Sequence, residues 1–432
     1  MKRNTGTIIA CIMLIAAAAA ARAEGGTYTL EDAYSAALQT HESVKISQEN
    51  TVQADSKVDQ AWTYLYPKVI GQGSYLRYNE TLPPNGGAFL FQPLGQLQAA
   101  LLLTQPLYTG GRATAALRAA KTMQESSRND LSTSEQNIML SVAEAYYAVL
   151  RSQKVVEVSK GSLERMVRHR TVTEREASTR RSKANASALL RANTLVDQAR
   201  ITLVLAENEL NVARKMLSLL TQLPDDAAIS EPPSLQMYPD PVRVLQERAL
   251  TSRDDYMSSQ LNQKVAKENV NITAGAHYPQ VYAEGGLRYQ DSIPQTMMDA
   301  TTYYGGVRLM VPIFEGGLLK AEVAEARSKQ RQAELSTELL KRTIMNDVAE
   351  SYLNYQAVNT VLETTKTQFD YARRNFDVVE GLFNEGLVPS LSVIDAQQAL
   401  FLAERELVAA TVGQQLAILR LQKAIGILGK QS

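Results

Sequence analysis

The chain has 432 residues, with 45 basic and 45 acidic side chains balancing to zero charge, and 45% of its residues are hydrophobic. That balance leaves no electrostatic footprint for nucleic acid, and no nucleic-acid partner is expected. The single cysteine, Cys11, excludes an internal disulfide framework and a thiolate metal site.

Residues 1–23 read as a secretory signal. Lys2 and Arg3 form its basic start, Ile8 to Ala21 its apolar core, and Ala21-Arg22-Ala23 a small-residue cleavage site before Glu24. Cleavage removes three basic residues, lowering 45 to 42 against 45 acidic ones, a net of −3. Cys11 in "IIAC" superficially resembles a lipoprotein box, but the apolar core follows it instead of preceding it, which argues against lipidation. No 18-residue apolar run remains after the signal, so insertion into a membrane would have to use strands.

The rest of the chain is two copies of one unit. The first repeat, 24–222, opens with "LEDAYSAAL" and "LYPKV", then predicts strands at about 68–79 and 96–105 around a turn-rich loop, "LPPNGGAFLFQPLG". A long helical hairpin follows at about 110–220 and contains "VAEAYY". A proline-rich linker, 223–241, leads to the second repeat, 242–432, with "LQERAL", "HYPQV", strands at about 280–290 and 302–311, and a helical hairpin at about 316–426 containing "VAESYL". The second pair of strands alternates most cleanly. Val281, Ala283, Gly285, Leu287 and Tyr289 share one face, and Tyr282, Glu284, Arg288 and Gln290 the other; Tyr303, Val307, Leu309 and Val311 share a face, with Arg308 opposite.

Each copy passes from strand to helix through the same junction, "QPLYTGGR" with Pro106, Gly110 and Gly111, and "VPIFEGGL" with Pro312, Gly316 and Gly317. The proline is expected to end regular strand pairing, and the glycine pair to supply the backbone freedom for a sharp change of direction. Beyond the second junction, Val348, Tyr355, Leu362, Phe369, Phe376 and Phe383 recur at seven-residue spacing, matched in the first copy by Val142, Val149, Val156 and Leu163. A sustained heptad predicts helices packed side by side in a left-handed supercoil. The proline-free run from Gly317 to about Asn384 would span about 100 Å at ~1.5 Å per residue.

Four strands cannot close a membrane barrel, which takes at least about eight. An open edge in lipid leaves backbone groups unpaired at several kcal/mol each, so a membrane reading requires strands pooled from several copies: two at minimum, while three make twelve. The same residues also fit a small soluble sheet on a periplasmic coiled-coil scaffold, because hairpin alternation is weakly specific for membranes. The residues alone leave both open.

Catalytic and metal-binding patterns are absent from the sequence. His41, His169 and His277 lie in different elements without metal-ligand spacing, and neither glycine pair is followed by the Lys-Ser/Thr of a phosphate loop. No cofactor and no enzyme activity are expected. Adjacent Met297 and Met298 are poor evidence for a soft-metal site. Trp62, with Tyr64 and Tyr66, fits packing at a strand–helix boundary or an interfacial belt.

The doubled order of "YTLEDAYSAAL", "QPLYTGG" with "VPIFEGG", "VAEAYYAVL" with "VAESYLNY", and "NEGLVPSLSVIDAQQALFLAERELVAA" resembles the TolC-like outer-membrane efflux protein family. That resemblance covers the whole chain after the signal. It implies a mainly α chain with four strands, which a homotrimer pools into a twelve-stranded β-barrel in outer-membrane lipid, above an α-helical periplasmic tunnel. It further implies a non-enzymatic exit duct that works with a periplasmic adaptor and an inner-membrane transporter, either in a tripartite efflux pump or in type I protein secretion. The turns between long helices would then be the periplasmic tip.

In the second tip, Gly386 suits a helix C-terminus and Pro389 blocks simple continuation. The family's acidic ring, usually two aspartates three residues apart, maps onto Ser392 and Asp395, giving three carboxylates per trimer instead of six. Asp395 also fits a capping box begun by Ser392, and the two roles are compatible. The closing aspartate and arginine of relatives map to about Ala188 and Val388, so other contacts must hold any closed state. The first tip has Ser182 where the second has Gly386 and is basic, with Arg165, Arg168, Arg170, Arg175, Arg180, Arg181, Lys183 and Arg191. These read either as an adaptor-facing or pore-lining cluster, or as a solvated run interleaved with Glu164, Glu174 and Glu176.

Overall fold

In a computed structural model of the chain, residues 27–80, 93–179, 183–235, 240–293, 295 and 299–430 are described, without the side chains of residues 176, 179 and 183–185. The expected signal with Cys11, the pair Met297 and Met298, and Arg180, Arg181 and Ser182 lie outside the described residues. The elements in chain order are α1 (Leu30–Thr40), α2 (Glu42–Trp62), β1 (Lys68–Arg77), β2 (Gly95–Tyr108), α3 (Arg112–Thr179) and α4 (Lys183–Thr221), then α5 (Val242–Ser252), α6 (Asp254–Gly275), β3 (Gln280–Ile293), β4 (Ala300–Met310), α7 (Leu318–Asn384) and α8 (Ser390–Ile425).

The duplication is visible element by element. α5, α6 and β3 each begin 212 residues after α1, α2 and β1, and α7 begins 206 residues after α3. Equivalent residues do equivalent work: Ala37 and Ala249 are both fully buried, and their carbonyls accept from the backbone N–H of His41 and Arg253, which end α1 and α5. α1 starts with a capping box, in which Thr29 accepts from the Asp32 N–H while the Asp32 carboxylate accepts from the Thr29 N–H.

The described residues pack as two compact units. One holds the segments up to Ile46, Thr133–Arg253 and Thr343–Ser432; the other holds Ser47–Ser132 and Asp254–Arg342. Both units draw on both repeats, and α3 and α7 contribute to each. In the first unit, Leu30, Tyr34, Val142, Tyr146, Tyr147, Leu217 and Leu419 form a common core. The Tyr146 hydroxyl lies 2.9 Å from the Tyr28 carbonyl and 2.6 Å from that of Ser230, so it ties the linker to the chain start. Burial pushes the Tyr147 phenol up to about 12, and the Tyr34 phenol up as well, so both are neutral packing groups.

The second unit carries a four-stranded antiparallel sheet of order β1-β2-β3-β4. Both expected hairpins form, and β2 pairs with β3, joining the two repeats into one sheet. Register sorts the side chains onto two unlike faces. Val69, Leu101, Leu103, Leu287, Tyr303, Val307 and Leu309 share one face, and Lys68, Gln98, Thr104, Glu284, Arg288, Gln290 and Arg308 the other. The apolar face is bare, with Tyr303 86% and Val307 70% exposed. Among the described residues the outer edges of β1 and β4 have no partner strand.

The helices of this unit pack through small polar residues. Ser126 meets Ser258 at 2.9 Å, Ser258 donates to Asp130 at 2.5 Å, Ser132 donates to Asp254 at 2.6 Å, and Ser259 meets Thr337 at 2.6 Å. Such side chains allow close helix approach while satisfying their own hydrogen bonds. No described helix is long and apolar enough to cross a membrane.

Candidate functional site

The second tip lies in the first unit and is built by local backbone rules. Gly386 follows α7 at φ +75°, the Leu387 N–H donates to the Leu382 carbonyl at 2.9 Å, and the Gly386 N–H donates to that of Phe383 at 2.9 Å. This is a Schellman termination, which glycine adopts without a Cβ penalty. Pro389 is the N-cap of α8, with no side-chain cap. Ser392 therefore sits inside the first turn, its N–H donating to the Pro389 carbonyl at 3.0 Å, and the Ser392-x-x-Asp395 spacing is not a capping box here. Asp395 is exposed between buried Ile394 and Ala396, so the capping role falls away and the carboxylate faces outward.

Behind that turn, Phe376, Phe383, Val393, Ala396 and Leu400 form a buried cluster joined by partly buried Val172, Phe369 and Val388. Val388, expected near the place of a closing arginine, thus packs into this apolar cluster. Beside the cluster, α3 contributes a polar node. His169 is buried, shares a 2.9 Å hydrogen bond with the Ser390 hydroxyl, and stacks obliquely on Phe383 with ring centroids 5.0 Å apart. Arg165 pairs with Glu404 at 2.8 Å and lies over the Phe376 ring, and Gln397 donates to Ser162. Arg165, Arg168, His169, Glu380 and Gln397 line a cavity of about 210 Å³ next to these contacts. The other ring nitrogen of His169, Nδ1, has no hydrogen-bond partner there, and burial holds the imidazole below its ordinary pKa.

The heptad pattern located the α7 side of this packing and missed the α3 side. Val348, Tyr355, Leu362, Phe376 and Phe383 are buried as the spacing predicts. On α3 the buried stripe passes from Val142, Val149 and Val156 to Ser152, Ser159, Ser162, His169 and Thr173. These small polar residues carry no hydrophobic signal. Their own heptad spacing, Ser152-Ser159 and Ser162-His169, was the clue available.

The basic cluster of the first tip separates. Arg165 is engaged with Glu404, Arg175 is exposed and engaged elsewhere, and Lys183 opens α4. Arg180 and Arg181 lie outside the described residues.

At the junctions, all four glycines have positive φ: Gly110 +65°, Gly111 +82°, Gly316 +63° and Gly317 +89°. Gly110 has a second constraint, since a Cβ there would lie 2.2 Å from the Gly275 carbonyl oxygen. The two prolines differ from each other. Pro106 lies within β2, paired with Tyr282, and pairing shifts register between Pro106 and Tyr108 as in a bulge. Pro312 falls after β4 has ended at Met310. The first proline is accommodated because a bulge needs no regular ladder bond from it. Trp62 stacks on Tyr66 with centroids 6.0 Å apart and lies under the Lys121 ammonium at 5.3 Å, which is packing at the strand–helix boundary. Among the described residues no group of histidines and carboxylates could hold a metal ion.

The family model "Outer membrane efflux protein" matches residues 33–221 and 245–427, one stretch per repeat. The chain belongs to the outer membrane efflux protein family. Its relatives include the outer membrane protein TolC of Vibrio cholerae, 24% identical over 349 residues and 78% of both chains. The pyoverdine export outer membrane protein OpmQ of Pseudomonas aeruginosa is 26% identical over 329 residues, 74% of this chain and 66% of that one. Among solved structures, the Campylobacter jejuni CmeC outer membrane channel superposes with a TM-score of 0.81 at 16% identity, covering 92% of this chain and 85% of that one. This efflux protein is accordingly a TolC-like outer-membrane channel of Gram-negative bacteria with a helical periplasmic part, and members of the family are not enzymes.

Proposed function

We propose that three copies pool their sheets into a twelve-stranded barrel and act as the exit duct of a tripartite efflux pump. The observation that carries this reading is the sheet itself: a bare, mainly apolar face, an opposite face that carries most of the charged side chains, and two edges open among the described residues in one four-stranded piece. Only closure with other copies satisfies those edges in lipid, and it turns the polar face inward to line a water-filled path. The duct catalyses nothing and passes substrate handed on by an inner-membrane transporter and a periplasmic adaptor. The helical tips, with Gly386, Pro389, Ser392 and Asp395 in one and Arg175, Arg180, Arg181 and Lys183 in the other, are the surfaces assigned to constriction and adaptor docking. Three Asp395 carboxylates would favour cations at that constriction. Pyoverdine export, the role of the relative OpmQ, favours small-molecule efflux over protein secretion.

The test is to extract the protein from outer membranes and reconstitute it in planar bilayers. Trimers that conduct are expected. A protein recovered in soluble form, or folded trimers that do not conduct, overturns the duct.

A further inference from the structure

In the sheet-bearing unit, a cleft of about 470 Å³ opens where β1 and β3 begin and α3 takes its first turn. That volume lies within the ~300–1,000 Å³ range of small-molecule sites. Its polar groups are Lys68, Arg112, Thr109 and Gln280, and its aromatic ones Tyr64 and Tyr282; no carboxylate lines it. Neither cation is matched elsewhere, since among the described residues Lys68 and Arg112 form no ion pair. The Lys68 ammonium instead sits 5.7 Å from the Tyr64 ring centroid. The nearby Arg308 lies over Tyr282 but is neutralised by Glu284, so the uncompensated charge belongs to Lys68 and Arg112.

The remaining walls are apolar, from Pro106, Ala113 and Ile272. The Tyr282 hydroxyl is occupied, donating to Gln280 at 2.6 Å, which leaves its ring as a flat wall. Two cations and two phenol rings lining one partly apolar cleft suit one ligand class: a planar hydrophobic body carrying a negative group.

We propose that this cleft is a binding station for small aromatic anions such as aryl carboxylates and sulfonates. Lys68 and Arg112 hold the charged group, and Tyr64 and Tyr282 flank the ring. Lys68 and Tyr282 are on the polar face of the sheet, so in the trimeric duct the station stands beside the conducting path and retards aromatic anions there. That placement rests on the proposed barrel; the binding itself does not.

The experiment uses the full-length protein in lipid nanodiscs and 1-naphthalenesulfonate as probe, titrated calorimetrically with empty nanodiscs subtracted. Saturable binding is expected, weaker by roughly tenfold or more for each cation removed in Lys68→Gln and Arg112→Gln, as loss of a charge-assisted contact implies. The neutral isostere 1-naphthalenemethanol should bind more weakly to the native protein and be indifferent to both changes. Lys68 is exposed, so its replacement is expected to leave the fold intact, and Lys68→Gln alone suffices where Arg112→Gln assembles poorly. Equal binding of both probes, or sulfonate binding unchanged in Lys68→Gln, overturns the station. Bilayer currents then separate the two proposals. Sulfonate binding without any conductance leaves the station and sinks the duct, whereas conductance without sulfonate binding does the reverse.

Discussion

At the scale of single residues, two positions that the repeat makes equivalent are not equally constrained. Gly110 and Gly316 both sit in the left-handed region, at φ +65° and +63°. A Cβ at Gly316 meets open space, so Gly316→Ala should cost only the backbone penalty of about 1–2 kcal/mol. At Gly110 the same methyl would press on the Gly275 carbonyl, so Gly110→Ala should also displace α6 from the start of α3 and lose most of the assembled protein. The yield of heat-modifiable trimers and their melting temperature would distinguish the two variants.

His169 makes a prediction of the same scale. Burial holds its pKa below the ordinary value, so the folded protein binds fewer protons at this site than the unfolded chain once pH falls below about 6.5. Its contribution to stability is therefore full above that pH and is lost as pH falls through the folded value. Arg165 and Arg168 from α3 and Glu380 from α7 line the same cavity, and Arg165 is held by Glu404. Melting temperature should decline between pH 7 and 5, and His169→Gln should flatten that decline. An identical pH profile in the variant would remove His169 as the cause.

At the scale of elements, the sheet's two faces carry opposite tolerances. A lysine replacing Val307 on the apolar face would meet lipid, at a cost of about 2–4 kcal/mol near the bilayer midplane. Thr302, on the polar face of the same strand, should accept lysine with little loss. Comparing assembled trimers from Val307→Lys and Thr302→Lys tests which face lipid covers, and equal assembly of both would contradict the assignment. The helices show why legibility differed between the copies. On α7 the buried seam is made of Val, Tyr, Leu and Phe, so its spacing announces itself. On α3 the seam becomes Ser, His and Thr, small or polar side chains of which Thr173 donates to the His169 carbonyl at 3.0 Å, Ser162 accepts from Gln397 and His169 meets the Ser390 hydroxyl. A hydrophobic pattern cannot register such a contact.

At the scale of the whole molecule, the decisive test is of Asp395. The start of α8 at Ser390 excludes the capping role and leaves the Asp395 carboxylate exposed, as the proposed constriction requires. Asp395→Asn should shift the reversal potential of the trimeric channel away from cation preference at low salt, and most visibly there, because added salt screens the ring. An unchanged reversal potential would place the charge away from the conducting path.

What the sequence by itself determined was everything with a period or a local rule: the duplication, the four strands, the proline-free long helices, the glycine turns and the family. The duplication and the family were read by matching motifs across the chain; the others are written by neighbours within a few tens of residues, through alternation, heptad spacing or the dihedral freedom of glycine. What only the tertiary structure decided were the meetings of distant residues. β2 joins β3 across 173 or more positions, both packing units mix the two repeats, Arg165 reaches Glu404, and Lys68 comes together with Arg112 and Tyr282. Those partners share no spacing rule, because what brings them together is the packing of long helices and strands, and a chain of side chains read in order does not contain it.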